Sequence, residues 1–507
     1  MSQTTEIQSA KATRRDWIGL AVLALPCILY SMDLTVLHLA IPQITAALQP
    51  SSSELLWIVD IYGFMVAGVL ITMGTLGDRL GRRRVLLFGV FVFGLTSLIA
   101  AYSTSSQMLI VARALQGLAA ATLAPSTLSL IRNMFHDDRE RAFAISVWLA
   151  CFSGGAAIGP LVGGVLLTHF WWGSVFLINV PIMLLLLILV PIFLPEFRDP
   201  NAGRADLISA AQATVAVLAV IYGIKRAAEF GWGWEPVLAI AAGVFIGILF
   251  VRRQKRLPDP LIDVGLFQRG GFSAALATNI ASLFIIFGTF LFIAQYLQLV
   301  LGLDPLEAGI WTSPSGLVFA LGSMAAPFLV RRFPPHVVIA SGFIVSAFGF
   351  ALLTQLSAVD SPWLLFTGMM IFCLGLAPLG AITTDLVMAE SPPERAGAAS
   401  GISETSFEFG GALGIAVLGS VVTAIYRDAM ANEVLHGIPE HAIDAAKDTL
   451  GGAVAAAGQL GGEAGQQLLV TARGAFVYAF EIASGVSAVG AVIAAILAAT
   501  VLKSGKR

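Results

Sequence analysis

Residues Ala396–Ala424 read AGAASGISETSFEFGGALGIAVLGSVVTA. The stretch is long and apolar enough to cross a bilayer, yet it carries Glu404 and Glu408. A carboxylate near the middle of a membrane is costly, so such residues face a bundle interior or a water-filled cavity. Their i, i+4 spacing sets both acids on one helical face. Ser400, Gly401, Gly410, Gly411, Gly414 and Gly419 let neighbouring helices come close. A proton or cation site lining a central cavity is the functional expectation. The alternative is that one acid only pairs with a polar group across a helix interface.

The composition says that this stretch is one of many. Of 507 residues, 57% are hydrophobic and only 12% charged. Soluble domains carry about 25% charge, so an ordinary globular enzyme is excluded. Apolar runs recur from end to end, which predicts an all-α polytopic membrane protein. The net charge of −2 carries no information by itself. Cys27, Cys151 and Cys373 all fall in apolar runs, so neither a disulfide framework nor a metal site is expected. Basic residues precede the first run without a small-residue cleavage site, and that run is expected to be retained.

Breaks at charged and turn-rich stretches give fourteen spans. They lie near 15–38, 54–76, 84–102, 107–131, 142–167, 172–194, 206–224, 236–252, 272–301, 307–330, 336–356, 362–388, 396–424 and 474–502. Lys11, Arg14 and Arg15, Arg79 to Arg84, Arg132 to Arg141, Arg252 to Arg256, Arg331 and Arg332, and the tail Lys503, Lys506 and Arg507 collect on one side. Lys225 and Arg226 are the main exception, read here as outer-loop charges. The positive-inside rule then puts both termini in the cytoplasm. Trp171, Trp172, Trp232, Trp234 and Trp363 fall near predicted interfaces. Between the last two spans, 427–473 form a long outer loop. There IPEHAIDAAKDTL reads as helix, with breaks at Gly451-Gly452 and Gly461-Gly462. A short helical hairpin and a loose spacer both fit it.

Four motifs narrow the class. Gly74–Leu86, GTLGDRLGRRRVL, crosses the basic face in a tight turn, with Gly74, Asp78, Arg79, Gly81, Arg82 and Arg83 at the pattern positions. As physics alone it could be only a positive anchor. Arg113-Ala-Leu-Gln116-Gly117 puts an arginine inside the fourth span, where it needs a carboxylate. Gly155, Gly159, Pro160, Gly163 and Gly164 lie in GAAIGPLVGG of the fifth span, a close-packing stripe with a bendable point. Met32–Pro42, MDLTVLHLAIP, places Asp33 deep in the first span.

These motifs resemble the signature loop, the R-x-x-Q-G element and the antiporter element of the major facilitator superfamily. The first span resembles the D-x-T-V-x-N-x-A-x-P element of its fourteen-helix drug:proton antiporters, with His38 where asparagine is usual. Gly322–Arg332, GSMAAPFLVRR, sits where a second signature loop belongs and lacks its Asp. The resemblance implies the major facilitator fold: two six-helix bundles plus two inserted helices. It divides the chain into a cytoplasmic tail 1–14, an N-terminal bundle 15–200, an inserted pair 201–258, a C-terminal bundle 259–502 and a tail 503–507. It also implies that the signature loop latches the two halves. Within that family the chain looks most like exporters of quaternary ammonium antiseptics and dyes. The tenth span, WTSPSGLVFALGSMAAP, lacks an acid those exporters can carry.

The implied function is a proton-coupled multidrug antiporter in the bacterial inner membrane. Its partners would be cationic amphiphiles, protons and the bilayer, and a monomer is expected. Asp33, Glu404 and Glu408 are the candidate acids, with Arg113 as their coupling cation. Asp60, in LLWIVDIYGF, reads equally as a site acid or as an interfacial one. Asp385 reads as structural. Trp57, Tyr62, Trp148, Phe152, Phe287, Tyr296, Trp311 and Phe407 are candidate cation–π partners. Gln295 and Gln298 could contact substrate or join helices. No cofactor is expected, since the drive is the proton gradient and no phosphate-cradling G-x-x-x-x-G-K-[ST] loop is present. The six His are scattered without a metal-ligand spacing, and the thin spread of basic residues gives no nucleic-acid patch. Competing readings are an exporter of another small metabolite or natural product, and a membrane-embedded receptor or enzyme.

Overall fold

Polar caps start the first two helices. Thr13 and Asp16 exchange side-chain and backbone hydrogen bonds in a capping box, and Ser51 and Glu54 repeat it at the second helix. Each box satisfies amide groups that a helix start leaves open. The computed structural model describes residues 11–198, 206–258, 260–357, 361–391, 396–433 and 437–504. Most of the N-terminal tail, the start of the expected insert at 201–205 and tail residues 505–507 lie outside the described residues.

Among the described residues, 14 helices are long and apolar enough to cross a membrane. The N-terminal six are Arg14–Leu48, Ser52–Leu80, Arg82–Ala101, Ser106–Met134, Arg139–His169 and Ser174–Phe193. Leu207–Phe230 and Trp234–Gln254 follow as the seventh and eighth. The last six are Gly270–Val300, Pro305–Arg332, Pro335–Leu353, Pro362–Ala389, Ala399–Asn432 and Gly462–Leu502. Several run past the expected ends. The fourteenth has 41 residues, about 60 Å at ~1.5 Å per residue, against a hydrocarbon core about 30 Å thick. Hydropathy stops at the lipid edge, but helical hydrogen bonding continues into water.

The packing repeats with an offset of eight spans. The first lies along the fifth as the ninth lies along the thirteenth; the third packs on the sixth as the eleventh on the fourteenth; the second packs on the fourth as the tenth on the twelfth. Two seams join the halves, second against thirteenth and fifth against tenth. The seventh and eighth spans pack on each other, and the seventh also lies against both helices of the second–thirteenth seam.

Small residues set these distances. A Cβ at Gly155, Gly159 or Gly163 would press into Ile28, Thr35 and Val36 of the first span, whereas one at Gly164 would meet the backbone of Pro305 and Leu306 in the tenth. The GAAIGPLVGG stripe therefore glues the fifth span to its own half on one side and to the other half on the next. Across that seam Gly309 abuts the Pro160 carbonyl and Gly316 abuts Ala157. The Gln298 amide donates to the Leu39 carbonyl at 3.1 Å, and Gly419 meets Leu56. Several of these contacts lie toward the face opposite the basic loops, and on the basic side Gly401 of the thirteenth span faces Ile71 of the second.

The signature loop docks on its own half in this conformation. Gly81, at φ 112°, makes the turn that a side chain would resist. Arg82 pairs with Asp78 at 2.5 Å and reaches the Pro125 carbonyl at 3.4 Å. The Arg83 side chain donates to the Leu194 carbonyl at 3.0 Å, and its backbone N–H donates to Glu196 at 3.1 Å. Arg79 stays exposed, and Gly74 faces Pro125.

Two sequence expectations change. Lys225 and Arg226 do not belong to an outer loop: they lie inside the seventh helix, and Lys225 is buried. The long loop forms two short helices, Glu440–Asp448 and Leu450–Leu460. Its break falls at extended Thr449, whose side chain accepts from the Gly452 N–H, so Gly451-Gly452 begin a helix instead of ending one. Gly461 and Gly462 do break the chain, with φ 61° and 54°. The hairpin caps the far face. Ser52 donates to the Asp448 carbonyl, Arg427 pairs with Asp448 at 2.7 Å, and Tyr426 donates to the Ala446 carbonyl at 2.7 Å.

Candidate functional site: three carboxylate clusters around the seam

Asp33 is held wholly within the N-terminal half. Arg113 Nη1 donates to Asp33 Oδ2 at 2.5 Å and to Gln116 Oε1 at 2.8 Å. The other Asp33 oxygen accepts from Asn179 at 3.0 Å and Gln116 at 3.2 Å, and Gln116 also donates to Ser97 at 2.9 Å. The Tyr62 ring lies 4.5 Å below the Arg113 guanidinium. Both members of the ion pair are essentially inaccessible to solvent. A desolvated pair is tolerated only where surrounding hydrogen bonds satisfy most of its groups, and here Arg113 Nη2 is the guanidinium nitrogen left without one among the described residues. His38 is buried on the same helix, and its Nδ1 has no hydrogen-bond partner among the described residues.

Glu404 and Glu408 project from the thirteenth span toward the N-terminal half, and both are half-buried. Tyr30, from the first span, donates to Glu408 Oε1 at 2.5 Å. Tyr30 stacks toward Tyr62 at 6.0 Å and edge-on to Phe152 at 5.6 Å, which joins the two clusters through aromatic contact. Neither glutamate has an ion pair among the described residues. Glu408 lines a cavity at the second–thirteenth seam together with Asp60, Phe287 and Phe407.

Asp60 is buried inside the protein and paired. It is 1% exposed, and Lys225 of the seventh span binds it at 2.6 and 2.8 Å. The same ammonium sits 3.7 Å over the Trp57 ring.

The aromatic candidates divide. Phe287 and Phe407 line the cavity, Trp57 and Tyr62 face cations of the protein itself, and Trp148 packs edge-on to Phe152 at 4.7 Å while donating to Thr127 at 2.9 Å. Two are not brought to the site. Tyr296 is fully buried in the C-terminal half, donating to the Ser357 carbonyl at 2.7 Å. Trp311 packs against Trp363 and Phe366 at 4.8 and 5.5 Å. Their helices turn those rings toward neighbours in the C-terminal half. Gln298 joins helices, Gln295 bonds its own Leu291 carbonyl at 3.3 Å, and Asp385 is exposed. Sequence reasoning missed Tyr30, Asn179 and Lys225. A polar amide inside an apolar span was the available signal for Asn179; Lys225 stands just past the expected end of its span, and a tyrosine in such a span gives no signal.

Two six-helix halves that meet at two seams, with carboxylates in the cavity between them, define a membrane solute transporter. The chain belongs to the Major Facilitator Superfamily, which residues 23–415 match. It is 41% identical over 468 residues to the multidrug efflux pump LfrA of Mycolicibacterium smegmatis, covering 92% of each chain. It is 35% identical over 474 residues to the methyl viologen resistance protein SmvA of Salmonella typhimurium, covering 92% of this chain and 94% of that one. Its fold is similar to that of a bacterial homolog of the human lysosomal transporter Spinster in an inward-facing, unoccupied conformation. That likeness has a TM-score of 0.70 and 17% identity over 98% of this chain and 99% of that one. This is a multi-pass membrane transporter, not an enzyme, and its relatives include multidrug efflux pumps.

Proposed function

We propose that this protein is a proton-coupled exporter of lipophilic mono- and divalent cations, of the quaternary ammonium, biguanide and cationic dye type. One observation carries the reading. Glu408 lies in a mostly apolar cavity between the halves with only a tyrosine hydroxyl on it, while the buried Asp33 and Asp60 already have protein cations. An acid left without a cation in such a place suits a guest that brings positive charge, and Phe287 and Phe407 suit its flat or greasy body. The resistance named for SmvA, to the dication methyl viologen, supports the same class.

The basic face is the cytoplasmic one and carries both termini. When the far face is closed, a cation enters from the cytoplasm and favours ionised glutamates, releasing protons. Rocking of the halves presents the site outward, where protonation displaces the cation. Asp33–Arg113 and the Tyr30–Tyr62 contact link the first, second and fourth spans to that event.

Ethidium efflux from cells, with and without a proton uncoupler, tests this. Expected are uncoupler-sensitive export, its abolition in Asp33→Asn, and loss of part of the substrate range in Glu404→Gln or Glu408→Gln. Full activity of Asp33→Asn defeats the mechanism. Equal export of anionic dyes, or of a neutral natural product, defeats the substrate class.

A further inference from the structure

The seventh and eighth spans stand outside the eightfold offset that relates the two halves, and only the seventh touches a seam joining them. From it Lys225 reaches inward, 1% exposed, to hold Asp60 at 2.6 and 2.8 Å and to sit 3.7 Å over Trp57. A carboxylate beside an aromatic face is the pair of groups that recognises an organic cation. Asp60 also lines the cavity that Glu408 lines. Of the two acids lining the cavity, Asp60 carries a protein cation and Glu408 carries only the Tyr30 hydroxyl.

We propose that Lys225 is a tethered substitute for substrate charge: it occupies the Asp60–Trp57 pair beside the cavity and so sets the transporter's preference between singly and doubly charged cations. The inference rests on the cation-export reading and deepens it. A monocation engages Glu408 and leaves Lys225 in place. A dication long enough to reach Asp60 engages it only by displacing the ammonium, whose own carboxylate and ring contacts then have to be replaced. Removing the ammonium frees a second carboxylate–aromatic subsite for the guest. The inserted helix pair thereby becomes a specificity element fixed to the seam, and no reacting group needs to lie on it.

Ethidium and propidium make a matched probe pair, because propidium carries an additional quaternary ammonium on a short tail. Their dissociation constants are measured by fluorescence on the purified full-length protein in detergent, which keeps the readout independent of proton drive. In Lys225→Met the ratio of propidium to ethidium dissociation constants is expected to fall roughly tenfold or more, the value of one added desolvated cation contact. In Asp60→Asn/Lys225→Met the ratio is expected to return to the wild-type value. Lys225→Gln, which keeps a donor on Asp60 and protects the fold, is expected to shift in the same direction by less. A ratio unmoved in both single variants overturns the proposal, and so does a fall that persists in the double variant. Wild-type protein that binds neither dye sinks the cation reading and this inference together. Binding ratios that move as expected, together with uncoupler-insensitive export, sink only the proton drive.

Discussion

At the scale of single residues, Asp33–Arg113 and Asp60–Lys225 are matched buried pairs, whereas Glu404 and Glu408 have no ion pair among the described residues. Arg113 makes the consequence testable. It is 0% exposed and is surrounded by Asp33, Gln116 and the Tyr62 ring. Arg113→Met strands a desolvated carboxylate, and breaking a buried pair from one side costs about 3–5 kcal/mol. The expected result is a clear loss of thermal stability in detergent, largely recovered in Asp33→Asn/Arg113→Met, with export absent from both. Export restored in the double variant would show that the pair only holds the fold. This pair was legible in the sequence, because two opposite charges inside apolar spans have to find each other. Asp60 and Lys225 obey the same rule, but Lys225 lies five residues from the end of its helix and has Arg226 beside it, so it passed for a loop charge. Only packing reveals that it reaches across to the second span. Tyr30 was hidden for the opposite reason, since a tyrosine in an apolar span needs no special explanation until its hydroxyl meets Glu408.

At the scale of elements, the fifth span shows how one motif serves two contacts. Gly155 faces the first span of its own half, whereas Gly164 faces the start of the tenth, across the seam. Forcing a branched side chain into either place is overpacking, worth about 1–3 kcal/mol. The two consequences differ. Gly155→Val is expected to lower thermal stability without opening either face. Gly164→Val is expected to push the halves apart at the far face and leave the N-terminal half's packing intact. A cysteine at Leu306 reports this, and its labelling by an impermeant maleimide should rise in the Gly164→Val background and not with Gly155→Val. Equal labelling in both would mean that the stripe acts as a single interface. Hydropathy located all fourteen spans because water and lipid sort residues by the same property that the eye reads. It did not locate their polar extensions or the turn at Thr449. A side-chain cap determines that turn, while the neighbouring glycines, which looked like the break, start a helix.

At the scale of the whole molecule, the far face carries a hairpin that belongs to one half and rests on the other. The loop after the thirteenth span sends its hairpin over the first and second spans: Gly451 packs against Thr45, and the Asp448 carbonyl accepts from Ser52. Arg427–Asp448 at 2.7 Å and the Tyr426 hydrogen bond hold the lid to its own side, so it travels with the C-terminal half. The rocking of the halves proposed above would break the Thr45–Gly451 and Ser52–Asp448 contacts each time the site faced outward. Thr45→Cys/Gly451→Cys puts the two Cβ atoms 2.8 Å apart, closer than the roughly 3.5–4.5 Å that a disulfide spans, so the lid has to ease away from the first span slightly as the bond closes. The native cysteines Cys27, Cys151 and Cys373 are free and lie within helices, away from the lid. Oxidation of the pair is expected to stop ethidium export while leaving ethidium binding from the basic face intact, and a reductant is expected to restore export. Undiminished export by the crosslinked protein would mean that the lid slides with the first span and that the halves part elsewhere.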